Sequence, residues 1–163
     1  MNTTLRALIN QAERLVRAGV CEEAVALCHA ILRRYPRYAR CYRILAEAYL
    51  GLAEYEEAAK LFRRALGVDP EDPVPYAGLG IIFEERGLLE EAIWQLERAF
   101  ELAPGRDELR RELGRLYERR ARRGLAGPIV WQRLAQLIRP QVRRPACIPV
   151  VQVREDQTCV NSP

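Results

Sequence analysis

A spacing of 34 residues recurs through the first two-thirds of this 163-residue chain and limits its fold more than any other feature. Pro36, Pro70 and Pro104 stand 34 apart, and the tripeptide Glu-Glu-Ala returns at 22–24, 56–58 and 90–92 on the same interval. Gly19, Ala53 and Gly87 keep that register, and Tyr42, Leu45, Ala46 and Tyr49 align with Tyr76, Leu79, Gly80 and Phe83. A fixed period of this size marks an array in which each supersecondary unit stacks on the next, because one unit cannot bury its own apolar face.

Each unit reads as two helices. Tyr42, Leu45, Ala46, Tyr49 and Leu50 fall at i, i+3, i+4, i+7 and i+8, an apolar helical stripe. After a break at Gly51 to Glu54, Ala58, Leu61, Phe62, Ala65 and Leu66 draw a second stripe, closed by Gly67 and Asp69-Pro70. Asp72-Pro73 opens the following unit as an N-cap with proline at the first helical position, and Glu90-Glu91 set negative charge at the positive end of the next helix. Small residues at 12, 46, 80 and 114, and alanines at 24, 58 and 92, let paired helices approach closely, while larger residues at 42, 49, 62, 76 and 83 fill the gaps between units.

The pattern closely resembles the tetratricopeptide repeat family. The third unit carries it best, with Tyr76, Leu79, Gly80, Phe83, Gly87, Ala92, Leu96, Ala99 and Pro104; the second follows with Ala46, Ala58, Phe62, Ala65 and Pro70. The first is looser, with Leu8, Gln11, Ala12, Leu15, Ala24, Cys28, Ile31 and Pro36. The resemblance implies an all-α, right-handed solenoid of about three and a half helix-turn-helix units: 5–38, 39–72, 73–106 and a degenerate fourth at 107–138. That fourth unit begins in register with Leu113, Gly114 and Tyr117 and a candidate N-cap at Asp107, but Gly124, Gly127 and Pro128 interrupt its second helix. A capping helix is expected over 128–138, and the proline-containing tail 139–163 is expected to be disordered.

Composition narrows the function classes. No apolar run is long enough to span a bilayer, and Met1 to Arg6 lacks a signal-peptide pattern. Five cysteines, at 21, 28, 41, 147 and 159, are an odd number that argues against a disulfide framework and for the cytoplasm. His29 is the sole histidine, so no histidine-based triad or metal cluster can form around it, and no glycine-rich phosphate loop is present. The expectation is a non-catalytic chain with no cofactor and no metal.

In this family the first helix of each unit lines a concave groove that takes peptides or helices of partner proteins. Carried onto this sequence, the groove positions are Arg6, Ile9, Glu13 and Arg17; Arg40, Arg43, Glu47 and Leu50; Val74, Ala77, Ile81 and Glu84; and Glu108, Arg111, Arg115 and Arg119. Ile9, Val74, Ala77 and Ile81 would supply a greasy floor. Arg111, Arg115 and Arg119 form one stripe suited to carboxylates or phosphates, unless Glu108, Glu112 and Glu118 neutralise them. The clamp that chaperone-binding members close on a terminal carboxylate is missing: the matching places hold Ile9, Glu13, Ile44, Val74 and Gly78, or, one unit later, Arg43, Glu47, Gly78, Glu108 and Glu112.

Two other partner classes stay open. Net charge is +4 overall, yet residues 1–104 carry −3 and residues 105–163 carry +7, so a polyanion such as RNA could bind the arginine-rich end. Stacking aromatics are not interleaved there. An open solenoid end could instead pair with a second copy of the chain.

Overall fold

The computed structural model describes residues 3–124. They form seven helices: α1 (Thr3–Arg17), α2 (Cys21–Arg34), α3 (Ala39–Gly51), α4 (Tyr55–Val68), α5 (Pro73–Glu85), α6 (Leu89–Leu102) and α7 (Asp107–Arg122). Among the described residues there is no strand, and no helix is long and apolar enough to cross a membrane. The expected capping helix at 128–138 and the tail at 139–163 lie outside the described residues.

The helices are punctuated by one repeated turn. After α1, Gly19 N–H donates to Val16 O (3.0 Å) and Val20 N–H to Leu15 O (2.9 Å); Ala53 and Glu54 do the same after α3, and Gly87 and Leu88 after α5. This nested pair of bonds closes a helix with a left-handed residue, and Gly19 and Gly87 sit at φ +76° and +75°. Ala53 holds the same conformation at φ +60° with a side chain. After α7 the left-handed residue is Gly124, at φ +73°, where the repeat would put position 121. The last first-helix therefore runs nearly one turn longer than α3 or α5.

Helix starts are mostly bare. Asp72 is the exception, its Oδ1 accepting from Val74 N–H at 3.0 Å, with Pro73 next in line. Asp107 proves to be the first helical residue rather than the cap: Arg106 holds the cap position and makes no side-chain cap bond, while Asp107 pairs with Arg110.

The core is a row of clusters, each spanning a unit and the first helix of the next. Ile9, Ala12, Cys28, Ile31, Cys41, Ile44 and Leu45 join α1, α2 and α3. Ala46, Ala58, Phe62, Leu79 and Ile82 join α3, α4 and α5. Ala92, Leu96, Leu109, Leu113, Leu116 and Tyr117 join α6 and α7. Ala12, Ala46, Ala24, Ala58 and Ala92 are wholly buried where close approach demands small residues.

Gly78 is the tightest of these contacts. A Cβ there would lie 2.3 Å from the ring of Phe62, itself completely buried. A Cβ at Gly51 would lie 2.7 Å from Cys21 Sγ, and one at Gly80 2.9 Å from Leu96. At the outer side of α1, Gln11 is exposed where the equivalent Leu45, Leu79 and Leu113 are buried against the preceding unit.

Candidate functional site

The first helices α1, α3, α5 and α7 share one face of the array, and ion pairs between successive members mark it. Arg40 forks onto Glu13 across the α1–α3 gap, Nε to Oε1 at 2.8 Å and Nη2 to Oε2 at 2.9 Å. Arg43 adds Nη2 to Glu13 Oε1 at 3.2 Å, reaches Glu47 at 3.8 Å on its own helix, and reaches Asp72 Oδ2 at 3.5 Å across to α5. Asp72 thus caps α5 with one oxygen and ties α5 to α3 with the other.

A second cluster bridges α5 and α7. Glu84, with only 14% of its side chain exposed, receives Arg115 Nη2 at 2.7 Å and Arg119 Nη1 at 3.0 Å. Arg115 also pairs with Glu112. Arg111 stands apart from these carboxylates, its Nε reaching the Asp107 carbonyl at 3.4 Å.

Between the clusters lies apolar surface. Leu50 is half-buried against the α3–α5 core, Val74 and Ala77 are half-buried on α5, and Ile81 is 40% exposed. Ile9 is no part of that floor: its side chain is 0% exposed and packs into the first core cluster. Helix α1 turns Leu5, Leu8, Ile9, Ala12 and Val16 inward together, so its groove side is left to polar groups. Arg6, Arg17 and Glu108 are exposed, and no ion pair within the described residues engages them. Glu13, Arg40, Arg43 and Glu47 are brought together by the fold, as are Glu84, Arg115 and Arg119. Glu112 answers as the neutralising acid on α7. Asp72, assigned from sequence only as a cap, is the residue that sequence reasoning left out of the site.

The carboxylates of the first cluster are driven apart in acidity. The Arg40 guanidinium hydrogen-bonded to Glu13 holds that carboxyl below its ordinary range, with Arg43 and Arg17 adding to the effect against a burial penalty. Burial pushes Glu47 up, with Glu13 and Asp72 reinforcing the rise and Arg43 opposing it. His29 is exposed, with Nε2 3.5 Å from the Tyr49 hydroxyl. Among the described residues no group of three His, Cys, Asp or Glu side chains is placed to hold a metal ion.

Known proteins share this architecture. The solved structure of MamA covers 82% of this chain and 75% of its own, with a TM-score of 0.69 at 20% identity. The first TPR domain of Spaghetti (RPAP3), solved bound to the HSP90 peptide SRMEEVD, covers 72% of this chain and 93% of its own, with a TM-score of 0.65 at 22% identity. Among curated proteins, the rhomboid protease GluP of Bacillus subtilis (strain 168) is 31% identical over 80 residues, 49% of this chain and 16% of that protein. Protein O-mannosyl-transferase Tmtc3 of Drosophila melanogaster is 30% identical over 108 residues, 66% of this chain and 12% of that protein. The chain therefore spans less than a fifth of the length of either curated relative. Its own helix pairs, its 34-residue register and a tetratricopeptide repeat profile matching residues 9–73 and 51–107 lead to one conclusion: the chain belongs to the tetratricopeptide repeat family.

Proposed function

We propose that this chain is a non-catalytic protein-interaction module that seats a peptide or helix of a partner protein along the face shared by α1, α3, α5 and α7. The observation that carries the reading is Ile81, 40% exposed between two charged clusters on the face where this fold presents its groove. An isoleucine left in water there, beside Val74, Ala77 and Leu50, offers apolar area to a segment lying across the helices. The paired arginines and carboxylates around it hold their side chains in fixed places, which lowers the ordering cost of docking. The RPAP3 domain of similar fold is solved with a peptide bound, which supports a peptide as the class of occupant.

The occupant differs from a chaperone tail held by its terminal carboxylate, because Gly78 and Val74 occupy clamp positions that require cationic or amide side chains. The polyanion reading is weakened by Glu84 and Glu112, which neutralise Arg115 and Arg119.

The test is affinity capture with the parent chain and with Ile81→Asp, a change on exposed surface that leaves the core intact. Bound proteins lost from the variant, and restored by Ile81→Val, support the groove; capture of every partner by Ile81→Asp overturns it.

A further inference from the structure

The interface between the first and second units differs from the other two in one respect. At each such interface a residue of the unit's second helix and another thirteen positions later on the next first helix are both buried. These pairs are Cys28 with Cys41, Phe62 with Pro75 and Leu96 with Leu109. The second and third pairs are apolar bulk. The first is two thiols, both free and both 0% exposed. Cys41 lies against Cys28 across the α2–α3 joint: its Sγ donates to the Cys28 carbonyl oxygen at 3.5 Å, and both residues sit in the same core cluster. Cys21, the other cysteine on α2, lies two helical turns away, about 10 Å along the axis, and packs beside Gly51 instead.

We propose that Cys28 and Cys41 are a redox-active thiol pair that closes to an interhelix disulfide, stapling the first repeat unit onto the second. The oxidant is hydrogen peroxide. The Cys28 sulfur attacks one peroxide oxygen, the O–O bond breaks, and a sulfenic acid forms as the released hydroxide takes the thiol proton and leaves as water. The Cys41 sulfur then attacks the Cys28 sulfur; the S–S bond forms, the S–O bond breaks, and the hydroxyl leaves as water with the Cys41 proton. Two thiols lose two protons and two electrons, and the hydrogen peroxide becomes two waters.

Cys41 Sγ is engaged as a donor to the Cys28 carbonyl, which leaves Cys28 as the first sulfur to attack. Hydrogen bonding from Cys41 holds Cys28 below the ordinary thiol range against its burial, while the same contact and burial push Cys41 up. Both sulfurs are shut away from solvent, so the reaction proceeds through opening of the α1–α2 layer, and the bond once formed resists reopening. Because Arg40 and Arg43 flank Cys41 on α3, the staple fixes the N-terminal half of the charged face, whatever that face binds.

The experiment uses the full chain, reduced and then exposed to hydrogen peroxide beside glutathione as an internal oxidation control, with peptide mapping before and after dithiothreitol. The expected product is a Cys28–Cys41-linked peptide that dithiothreitol dissolves, with a thermal midpoint roughly 5–10 °C above that of the reduced chain. A chain bearing Cys21→Ala, Cys147→Ser and Cys159→Ser should give the same link. The proposal is overturned if Cys28 and Cys41 stay free thiols once the glutathione is oxidised, if either goes singly to sulfinic acid, if they link to other cysteines, or if the linked chain melts below the reduced one.

Discussion

Two single positions show how narrowly the backbone is specified. Ala53 occupies a left-handed turn that Gly19 and Gly87 fill elsewhere, and a side chain in that conformation costs about 1–2 kcal/mol. Ala53→Gly should therefore stabilise the chain by up to about 1 kcal/mol once the extra freedom of an unfolded glycine is subtracted, read as a rise in the urea midpoint at constant slope. Gly78 works the other way. Its missing Cβ is the space that the Phe62 ring fills at the junction of the second and third units. Gly78→Ala should destabilise by about 1–3 kcal/mol in the same titration, although alanine is the better helix former. Gly78→Ala/Phe62→Leu should recover part of the loss. The sequence announces Gly80 through the repeat but not Gly78, because the equivalent positions are Asn10, Ile44 and Glu112 and no pattern singles out the glycine. Only the direction of the Phe62 ring does so.

Element by element, the helix pairs were legible because the period, the stripes and the punctuating turns agree. What the sequence could not disclose is rotation. Counting back by 34 places Ile9 beside Arg43, Ala77 and Arg111 as a groove residue, yet α1 turns it fully into the core. An apolar residue at one helical position can serve either face, and packing against α2 and α3 decides. The charged positions suffered less: Glu13, Arg40 and Arg43 are confined to the polar side whatever the fine angle, so their meeting could be anticipated while Asp72 joining them could not. Their coupling has a measurable pH signature. Glu13, with its folded pKa depressed, stabilises at neutral pH, and that contribution disappears as pH falls through its lowered value. Glu47, with its folded pKa raised, opposes folding above that value, and the penalty fades as pH falls towards the ordinary carboxylate range. Glu47→Gln should accordingly raise stability at pH 7 and leave it nearly unchanged at pH 3, whereas Glu13→Gln should lower it at pH 7. Chemical denaturation at the two pH values separates these signs.

At the scale of the whole molecule, stability is a chain of nearest-neighbour interfaces, and no helix pair stands alone. The two charged clusters repeat that logic on the shared face, each one joining adjacent units rather than distant ones. Gln11 carries a consequence for the array as a particle. A glutamine stands where every later unit presents a leucine to its predecessor, so water wets the outer flank of α1 instead of a stacked neighbour. Gln11→Leu would give that flank the greasy knob that interior joints use. Sedimentation velocity should then report mass growing with concentration more steeply for the variant than for the parent chain.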